Sequence, residues 1–248
     1  MLLNLDPVLL RLGPVEVRVY GLMMALSVAI GIYFFLKNGR KKGFDEDFLL
    51  SLALWVVFGG IIGARLIYVL TNLGDYTGNP LEMVKVWQGG LSFHGGLLGG
   101  VVAGLLVIGK KKASFNQLAD LTVPGLTIGY TLIRFANIFN QEVLGRPTPL
   151  SPFGRHPAQL YGAAIGLVLL LLHNLWARRN PPDGYLFWSF FLYYSILRGI
   201  IEETFRANPL FALGYTNEFW GLGFFTLTHL VTPALVLFAW WMRRQTSR

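Results

Sequence analysis

The residues of this chain whose types and spacing could carry chemistry lie between Arg134 and Arg146. Two arginines, two asparagines, a glutamine and a glutamate fall within these thirteen residues, at the end of an apolar run. An ionisable side chain at membrane depth costs about 2.5–3.5 kcal/mol on insertion scales, so a cluster of such groups indicates a functional site. A guanidinium group can donate two parallel hydrogen bonds to a phosphate. The cluster therefore favours a site that binds an anion.

The spacing within this cluster predicts a polar stripe on an apolar helix. If the helix continues through the cluster, Arg134, Asn137 and Gln141 share one face, with Glu142 beside them. We predict that the helix ends at 145–147, because the Gly-Arg-Pro sequence there combines a permissive glycine with a proline that cannot continue a helix. The stripe is then expected to lie near a membrane surface.

Several residues outside the cluster are candidates on similar grounds. His94 begins a glycine-rich apolar run, where an imidazole could move a proton near neutral pH or could be a packed structural residue. Tyr20 opens the first apolar run and is either an interface anchor or a hydroxyl of the site. Arg65 either snorkels to the surface or belongs to the site. Arg198 precedes Glu202 by four residues, so an intrahelical ion pair is the simplest interpretation.

The remaining histidines show no spacing typical of a metal site. The pair His156-Pro157 is predicted to begin a helix, because proline is favoured in the first turn, and Gln159 then lies in the opening turn. His173 and His229 are assigned to packing. The chain has no cysteine, so a nucleophilic thiolate cannot belong to it. We expect no metal and no cofactor.

The composition predicts an all-α, polytopic membrane protein. The 248 residues are 54% hydrophobic and only 14% charged, with a mean hydropathy of +0.51, which is too apolar for a water-soluble domain of this length. Each apolar run is near the roughly 20 residues that a spanning helix needs. The seven runs are 20–36, 48–70, 91–109, 118–139, 157–177, 185–201 and 219–242. We therefore predict one integral membrane domain, 1–248, of seven transmembrane helices.

The basic residues predict the orientation of these helices. Twelve of the 21 lysines and arginines lie at alternate ends of the predicted spans. They are Lys37, Arg40, Lys41, Lys42, Lys110, Lys111, Lys112, Arg178, Arg179, Arg243, Arg244 and Arg248. Because basic residues stay on the cytoplasmic side, the N-terminus is predicted outside and the C-terminus in the cytoplasm. The net charge of +8 thus reflects membrane orientation, and we predict no nucleic-acid partner.

Two segments are predicted to lie flat on the outer membrane surface. The first, 1–19, contains prolines and alternating apolar residues and lacks the basic start of a signal peptide. The second lies within 71–90, where a short amphipathic stretch, 81–87, precedes two glycines. Such an arm could gate the approach of a substrate.

Four motifs follow one another along the chain. They are Trp87-Gln-Gly-Gly-Leu-Ser-Phe-His94-Gly-Gly-Leu-Leu-Gly, Arg134-x-x-Asn137-x-x-Asn140-x-Glu142-x-x-Gly145-Arg146, His156-Pro-x-Gln159-Leu-Tyr161 and Arg198-x-x-x-Glu202. Together they resemble the prolipoprotein diacylglyceryl transferase family, over residues 14 to 206 or about that range. The resemblance implies seven spans and an outward N-terminus, in agreement with the layout predicted above.

The resemblance also implies an activity. The family transfers the diacylglyceryl group of phosphatidylglycerol to the lipobox cysteine of a prolipoprotein, at the outer face of the bacterial inner membrane, and glycerol phosphate leaves. The expected partners are phosphatidylglycerol, the signal-peptide and lipobox region of a prolipoprotein, and membrane lipids. The reaction needs a thiolate and a stabilised phosphate, and the histidine and the arginines identified above could serve those needs.

The family match implies a role for each site residue. Arg134 and Arg198 would bind the phosphodiester, and Tyr20 and His94 would flank the reacting centre. Gly145 would let the backbone approach the headgroup. The other residues predicted to organise the arginines or to bind substrate are Asn137, Asn140, Glu142, Arg146, Gln159, Glu202 and Arg206.

The chain departs from the family pattern at several positions. Ile133 and Ala136 replace glycines, and Gly162 stands where the family has glutamate. The spacing after the arginine of the fourth motif is one residue longer, which leaves open whether Glu202 or Glu203 is the family glutamate. A diverged relative with another lipid donor or acceptor is one alternative. The other is a transporter or channel for an anionic solute, because arginines also line anion pathways.

Overall fold

The computed structural model describes residues 5–12, 15–86 and 89–246, and the fold is mostly helical. The helices are α1 Val19–Lys41, α2 Glu46–Thr71, α3 Phe93–Lys111, α4 Phe115–Asn140, α5 Ala158–Ala177, α6 Tyr185–Ile196, α7 Glu203–Phe205 and α8 Leu227–Thr246. A π-helical turn, Leu197–Glu202, joins α6 to α7, and 3₁₀ turns occur at Leu73–Tyr76 and Pro80–Val84. The strands are β1 Val8–Leu12, β2 Val15–Arg18, β3 Leu210–Asn217 and β4 Leu222–Thr226.

The chain divides into two compact units. The first comprises Met1–Phe35 and Ala119–Arg248, and the second comprises Leu36–Leu118. The polar cluster, the Arg198 segment and both strand pairs belong to the first unit. His94 and Arg65 belong to the second.

Among the described residues, four helices are long and apolar enough to cross a membrane: α1, α2, α3 and α5. Large side chains on these helices are widely exposed, for example Trp55 at 58% and Ile62 at 65%. Exposed apolar surface of this extent suits lipid and not water. The chain is therefore a membrane protein. The count of seven spans stays a prediction.

The seventh predicted span begins too early. Residues 219–226 were expected to be helical, but the structure places β4 there, paired antiparallel with β3, and α8 starts only at Leu227. Gly221 has a φ of +59°, a conformation that glycine adopts readily, and it turns the chain between the two strands. Aromatic residues such as Phe224 fit a strand as well as a span, so hydropathy alone could not separate the two.

The N-terminal segment also differs from an all-α expectation. Val8–Leu12 and Val15–Arg18 form an antiparallel hairpin that leads directly into α1. The amide of Val19 donates to the carbonyl of Pro7 at 2.9 Å and ties the hairpin to the first turn of the helix. Residues 1–4 and 13–14 of the predicted interfacial arm lie outside the described residues.

The second unit is built on close contact between α2 and α3. A Cβ added to Gly63 would lie 2.4 Å from the carbonyl oxygen of Gly95, and one added to Gly99 would lie 2.2 Å from that of Gly59. The two backbones therefore touch directly, which is the packing that small residues allow in membranes. The packing interpretation of these glycines is confirmed.

The first unit is held by α4, α5 and α6. Val123, Ile165, Leu169 and Phe190 form a buried apolar cluster. The carboxylate of Asp120 accepts hydrogen bonds from the amides of Gly184, at 2.8 Å, and Phe187, at 2.7 Å. Because these amides lie at the start of α6, a single carboxylate satisfies free donors of that helix and fixes it to α4.

Candidate active site

The end of α4 places the first set of site residues. The helix stops at Asn140, earlier than the predicted end at 145–147. Gln141 and Val143 both have a φ of +56°, so the chain leaves the helix there, and the amide of Glu142 bonds to the carbonyl of Asn137 at 3.0 Å. The prediction that Gln141 continues the helical face is therefore wrong.

Arg134 forms a buried ion pair with Glu202. Its Nη2 lies 2.8 Å from Oε1 of Glu202, whose side chain is fully buried. The hydroxyl of Tyr130, one turn before Arg134, donates to the other oxygen of Glu202, and the Tyr130 ring lies 4.6 Å from the guanidinium carbon. Arginine, carboxylate and tyrosine thus hold one another in fixed positions, as a buried charge pair requires.

Asn137 connects this pair to Glu142. With its amide oriented to satisfy both neighbours, Asn137 accepts from Nη1 of Arg134 at 3.2 Å and donates to Oε2 of Glu142 at 3.2 Å. The side chain of Gln159 donates to the carbonyl of Glu142 at 2.8 Å, and that of Asn140 donates to the Glu142 carboxylate at 3.4 Å. The structure therefore brings five predicted site residues of α4, the following loop and α5 into one network.

The π-turn determines which residues of the next segment reach the network. It absorbs one extra residue in the helix, so the amide of Glu203 bonds to the carbonyl of Arg198. Glu202 then faces Arg134, and it also lies 3.9 Å from Nη1 of Arg206. Within the described residues Arg198 forms no salt bridge, and the intrahelical pair expected between Arg198 and Glu202 is wrong. Glu202 has a partner on another helix instead.

Three arginines belong to this cluster. Glu202 pairs with Arg134 and lies near Arg206, whereas Arg198 forms no ion pair among the described residues. Burial lowers the pKa of the Arg206 guanidinium from its usual value, Glu202 and Glu203 oppose this shift, and Arg134 and Arg198 add to it. The Nε atom of Arg134 is buried without a hydrogen-bond partner among the described residues. This atom packs against Gly162. An anion would instead supply a partner for Arg198, which has none among the described residues.

Glu203 forms its hydrogen bond with a second set of residues, around Asn208 and Arg146. Its carboxylate accepts from the side-chain amide of Asn208 at 2.6 Å, and Nη2 of Arg146 donates to the Asn208 carbonyl at 2.9 Å. A Cβ at Gly223 of β4 would lie 2.1 Å from the Arg146 guanidinium. Burial lowers the pKa of Arg146 against the opposing effect of Glu203. Arg146, in the loop after α4, thus contacts both the segment that follows α7 and the hairpin of β3 and β4.

Gly145 and His156 lie at the same junction. A Cβ on Gly145 would fall 2.1 Å from the carbonyl oxygen of His156, so the glycine admits a neighbouring strand of backbone. The ring of His156 bonds to the hydroxyl of Tyr161 and to the carbonyl of Trp220, both at 2.9 Å. The motif that contains His156 therefore fastens the second hairpin to the start of α5.

The other predicted residues lie in different parts of the molecule. Tyr20, in the first turn of α1, is half-buried within electrostatic reach of Glu142 and Arg134. His94 lies in the first turn of α3 in the second unit and is exposed there, with the ring of Phe93 at 5.6 Å. Its place in the reaction stays a prediction. Trp87 of the same motif lies outside the described residues.

Sequence reasoning missed three residues of the site. Tyr130 binds Glu202, Tyr194 lies with its ring 5.2 Å from that of Tyr130, and Gly162 faces Arg134 so closely that a Cβ would lie 2.5 Å from its side chain. Tyr130 could have been found, because it lies four residues before Arg134 and so shares its helical face. The other two are brought there by α5 and α6. The sequence marked Gly162 only as a departure from the family pattern, and Tyr194 gave no local signal.

Comparisons with known proteins show the family of this chain. A family model described as prolipoprotein diacylglyceryl transferase matches residues 7–243. The chain is 50% identical over 243 residues to the phosphatidylglycerol–prolipoprotein diacylglyceryl transferase of Thermoanaerobacter sp. (strain X514), covering 98% of this chain and 94% of that protein. It is 48% identical to the protein of that name from Caldanaerobacter subterraneus, covering 96% and 93%. The identity to the one from Thermus thermophilus is 34%, covering 97% and 98%.

Proposed function

This chain belongs to the prolipoprotein diacylglyceryl transferase family, and we infer that it transfers the diacylglyceryl group of phosphatidylglycerol to the cysteine thiol of a prolipoprotein. It is a transferase, and its relatives carry both substrates in their names. The reaction forms a carbon–sulfur bond at the glyceryl carbon and breaks the bond from that carbon to a phosphate oxygen. Glycerol phosphate leaves, and the thiol proton is taken up by a base.

One observation in this chain carries the proposal: Arg198 lies in the arginine cluster but has no carboxylate partner among the described residues. Arg198 is half-buried and unpaired among the described residues, while Arg134 is held rigid by Glu202 and Asn137. A phosphodiester between these guanidinium groups would balance the charge. As the carbon–oxygen bond breaks, the phosphate gains negative charge, which fixed arginines stabilise without rearrangement.

The remaining roles in this proposal come from the resemblance. His94 accepts the thiol proton, and Tyr20 lies beside the reacting centre. Asn137, Asn140, Glu142 and Gln159 keep Arg134 in place, in agreement with their hydrogen bonds. Arg206 adds charge next to Glu202. Arg146 and Gly145 support the site through the backbone contacts around them.

We place the reaction at the outer face of the bacterial inner membrane. The apolar helices support a membrane location, and the named relatives are bacterial. The basic residues after α1, α3 and α5 support a cytoplasmic position for those helix ends. The loop after α4, which carries Glu142, is then on the outer side.

The proposal is tested with purified protein, phosphatidylglycerol and a peptide containing a lipobox cysteine. The peptide should gain the mass of one diacylglyceryl group, and glycerol phosphate should appear in equal amount. Arg198→Lys should reduce the transfer rate on the order of 10²-fold or more, because lysine keeps the charge but loses the planar fork of donors.

The matched control replaces Lys110, Lys111 and Lys112 with glutamine, which removes three cations at the far end of α3 and should leave the rate in detergent nearly unchanged. Absence of any peptide modification by the parent protein would reject the activity. Parent-like rates for a folded Arg198→Lys variant would reject the phosphate-binding role of Arg198 while leaving the transferase activity in place.

A further inference from the structure

Arg65 of α2 is a buried arginine whose partners are all main-chain carbonyl groups. The residue is 8% exposed. Its Nε donates to the carbonyl of Met83 at 2.7 Å and its Nη2 to that of Glu82 at 2.5 Å. Its Nη1 donates to the carbonyls of Gly89 and Gly90, at 2.8 and 3.0 Å. One side chain therefore holds the backbone at residues 82–83 and at residues 89–90.

The faces of this guanidinium are covered as well. The rings of Tyr68 and Tyr76 lie 5.8 and 5.6 Å from its carbon, and Tyr76 is itself buried. With four of its five N–H donors used and aromatic rings nearby, Arg65 has no pair of free donors that could bind a phosphate. It does not reach the surface either, so neither interpretation made from the sequence applies to it.

The same stretch of α2 holds the beginning of α3. The carbonyl of Ala64, the neighbour of Arg65, accepts from the amide of Ser92 at 2.9 Å. The Ser92 hydroxyl in turn accepts from the amide of Gly95 and caps α3. His94 lies between these two residues, in the turn that Ser92 caps. The hydrogen bonds from Arg65 to Gly89 and Gly90 thus lie only a few residues along the chain from the imidazole of His94.

The backbone at Gly89 and Gly90 needs the hydrogen bonds from Arg65 to keep one conformation. Both have positive φ, +86° and +69°, and glycine without other restraint samples many conformations. A Cβ on Gly90 would lie 2.6 Å from the Tyr68 ring and 2.8 Å from Arg65 itself, so the turn fits only as a glycine turn pressed against the arginine. Without the four hydrogen bonds, this turn would no longer fix the path of the chain into α3.

We propose that Arg65 is a positioning residue, which clamps the arm before α3 to α2 at residues 82–83 and 89–90 and thereby fixes the first turn of α3 with His94 on it. The clamp itself follows from the contacts of the second unit alone. Its consequence for catalysis rests on the proposed function, in which His94 accepts the thiol proton. Arg65 contacts no reacting atom and acts only through the glycine turn and Ser92.

Hydrogen–deuterium exchange of the full-length protein in detergent, without substrate, tests the clamp. Amides in peptides covering 80–92 should exchange on the order of tenfold faster in Arg65→Lys, and faster still in Arg65→Gln, because local opening costs less when carbonyl partners are lost. Peptides from α5 should be unchanged and report that the variant is folded. Lys85→Gln is the matched control, since Lys85 is a cation of the same arm that pairs with the Glu82 carboxylate at 3.5 Å outside the clamp.

Transfer kinetics test the consequence for His94. A misplaced base lowers the maximal rate, on the order of 10²-fold for a displacement near 1 Å, and leaves half-saturation by phosphatidylglycerol unchanged. The loss should shrink as pH rises toward the thiol pKa of about 8.5, where substrate ionises unaided. A smaller active fraction would instead lower the rate equally at every pH.

The two measurements separate the possible failures. Parent-like exchange in both Arg65 variants would overturn the clamp, whatever the activity. Faster exchange with a pH-independent loss would overturn the link to His94. If the parent transfers nothing, the proposed function fails, while the exchange experiment still decides whether Arg65 holds the arm.

Discussion

Two adjacent glutamates, Glu202 and Glu203, have different partners and are expected to have different roles. Glu202 and Glu203 are both buried, at 0% and 1% exposure. Glu202 faces Arg134 and Tyr130, whereas Glu203 faces Asn208. Adjacent residues on a helix point about 100° apart, so the two carboxylates form their close contacts with different residues. We infer that Glu202 is the glutamate of the arginine site.

Substitution by glutamine should separate the two roles. Glu202→Gln leaves Arg134 without its buried counter-charge, and breaking such a pair costs about 3–5 kcal/mol. We expect a large fall in the thermal midpoint and in the transfer rate. Glu203→Gln keeps an oxygen that can accept from Asn208, so it should cost about 1 kcal/mol or less and preserve transfer. Thermal unfolding and the peptide assay measure both. Equal effects of the two substitutions would contradict this division.

The sequence predicted the charged members of the site better than their partners. Arg134 and Glu202 stand out because charge is rare in apolar runs. The choice between Glu202 and Glu203 could not be made, because it depends on a π-turn that local spacing does not reveal. Tyr194 reads as an ordinary aromatic residue of a span until α4 brings Tyr130 against it. Pairings between distant segments are set by tertiary packing, and a single sequence does not contain that information in readable form.

At the scale of elements, the predicted helix bounds were close to the observed ones where the apolar run was uninterrupted. The predicted run 157–177 corresponds closely to Ala158–Ala177. Prediction failed where polar or turn residues interrupt the pattern, at the end of α4 and at the start of α8. In the first case backbone groups of Asn137 and Glu142 close the helix. At the start of α8, the apolar residues of β4 were predicted to be helical because apolar and aromatic residues occur both in paired strands and in membrane-spanning helices.

The α2–α3 pair offers a sharp test of element packing. Gly99→Ala would push a methyl group to 2.2 Å from the Gly59 carbonyl, which only a separation of the helices can relieve. Gly96→Ala is the matched control, because the nearest atoms, in Ala64 and Gly60, are 3.5 Å away. Overpacking typically costs about 1–3 kcal/mol, so the first variant should unfold at a clearly lower temperature. Gly96→Ala should match the parent. Equal thermal midpoints for the two would contradict direct backbone contact.

At the scale of the whole molecule, the order of basic segments and helices constrains the orientation in the membrane. Basic residues end α1 and α3 and follow α5, and α8 ends with Arg243 and Arg244. The helices α2, α4 and α6 lead away from those ends. If all seven cross the membrane, every basic end lies on one side, as the positive-inside rule requires. The shortened α8 still has 20 residues, which is about the length that a spanning helix needs.

Reporter fusions test this orientation directly. A reporter joined after Lys112 should be active only in the cytoplasm, because three consecutive lysines end α3 there. A reporter joined within 151–154, in the loop between α4 and α5, should be active only outside. The single helix between these two points is α4. Because it contains Arg134, α4 is not among the helices that are apolar enough to span. Its 26 residues nevertheless exceed the length needed to cross a membrane. Both reporters on one side would show that α4 does not span. The arginine site would then lack an outward opening, and the proposed face of the reaction would be wrong.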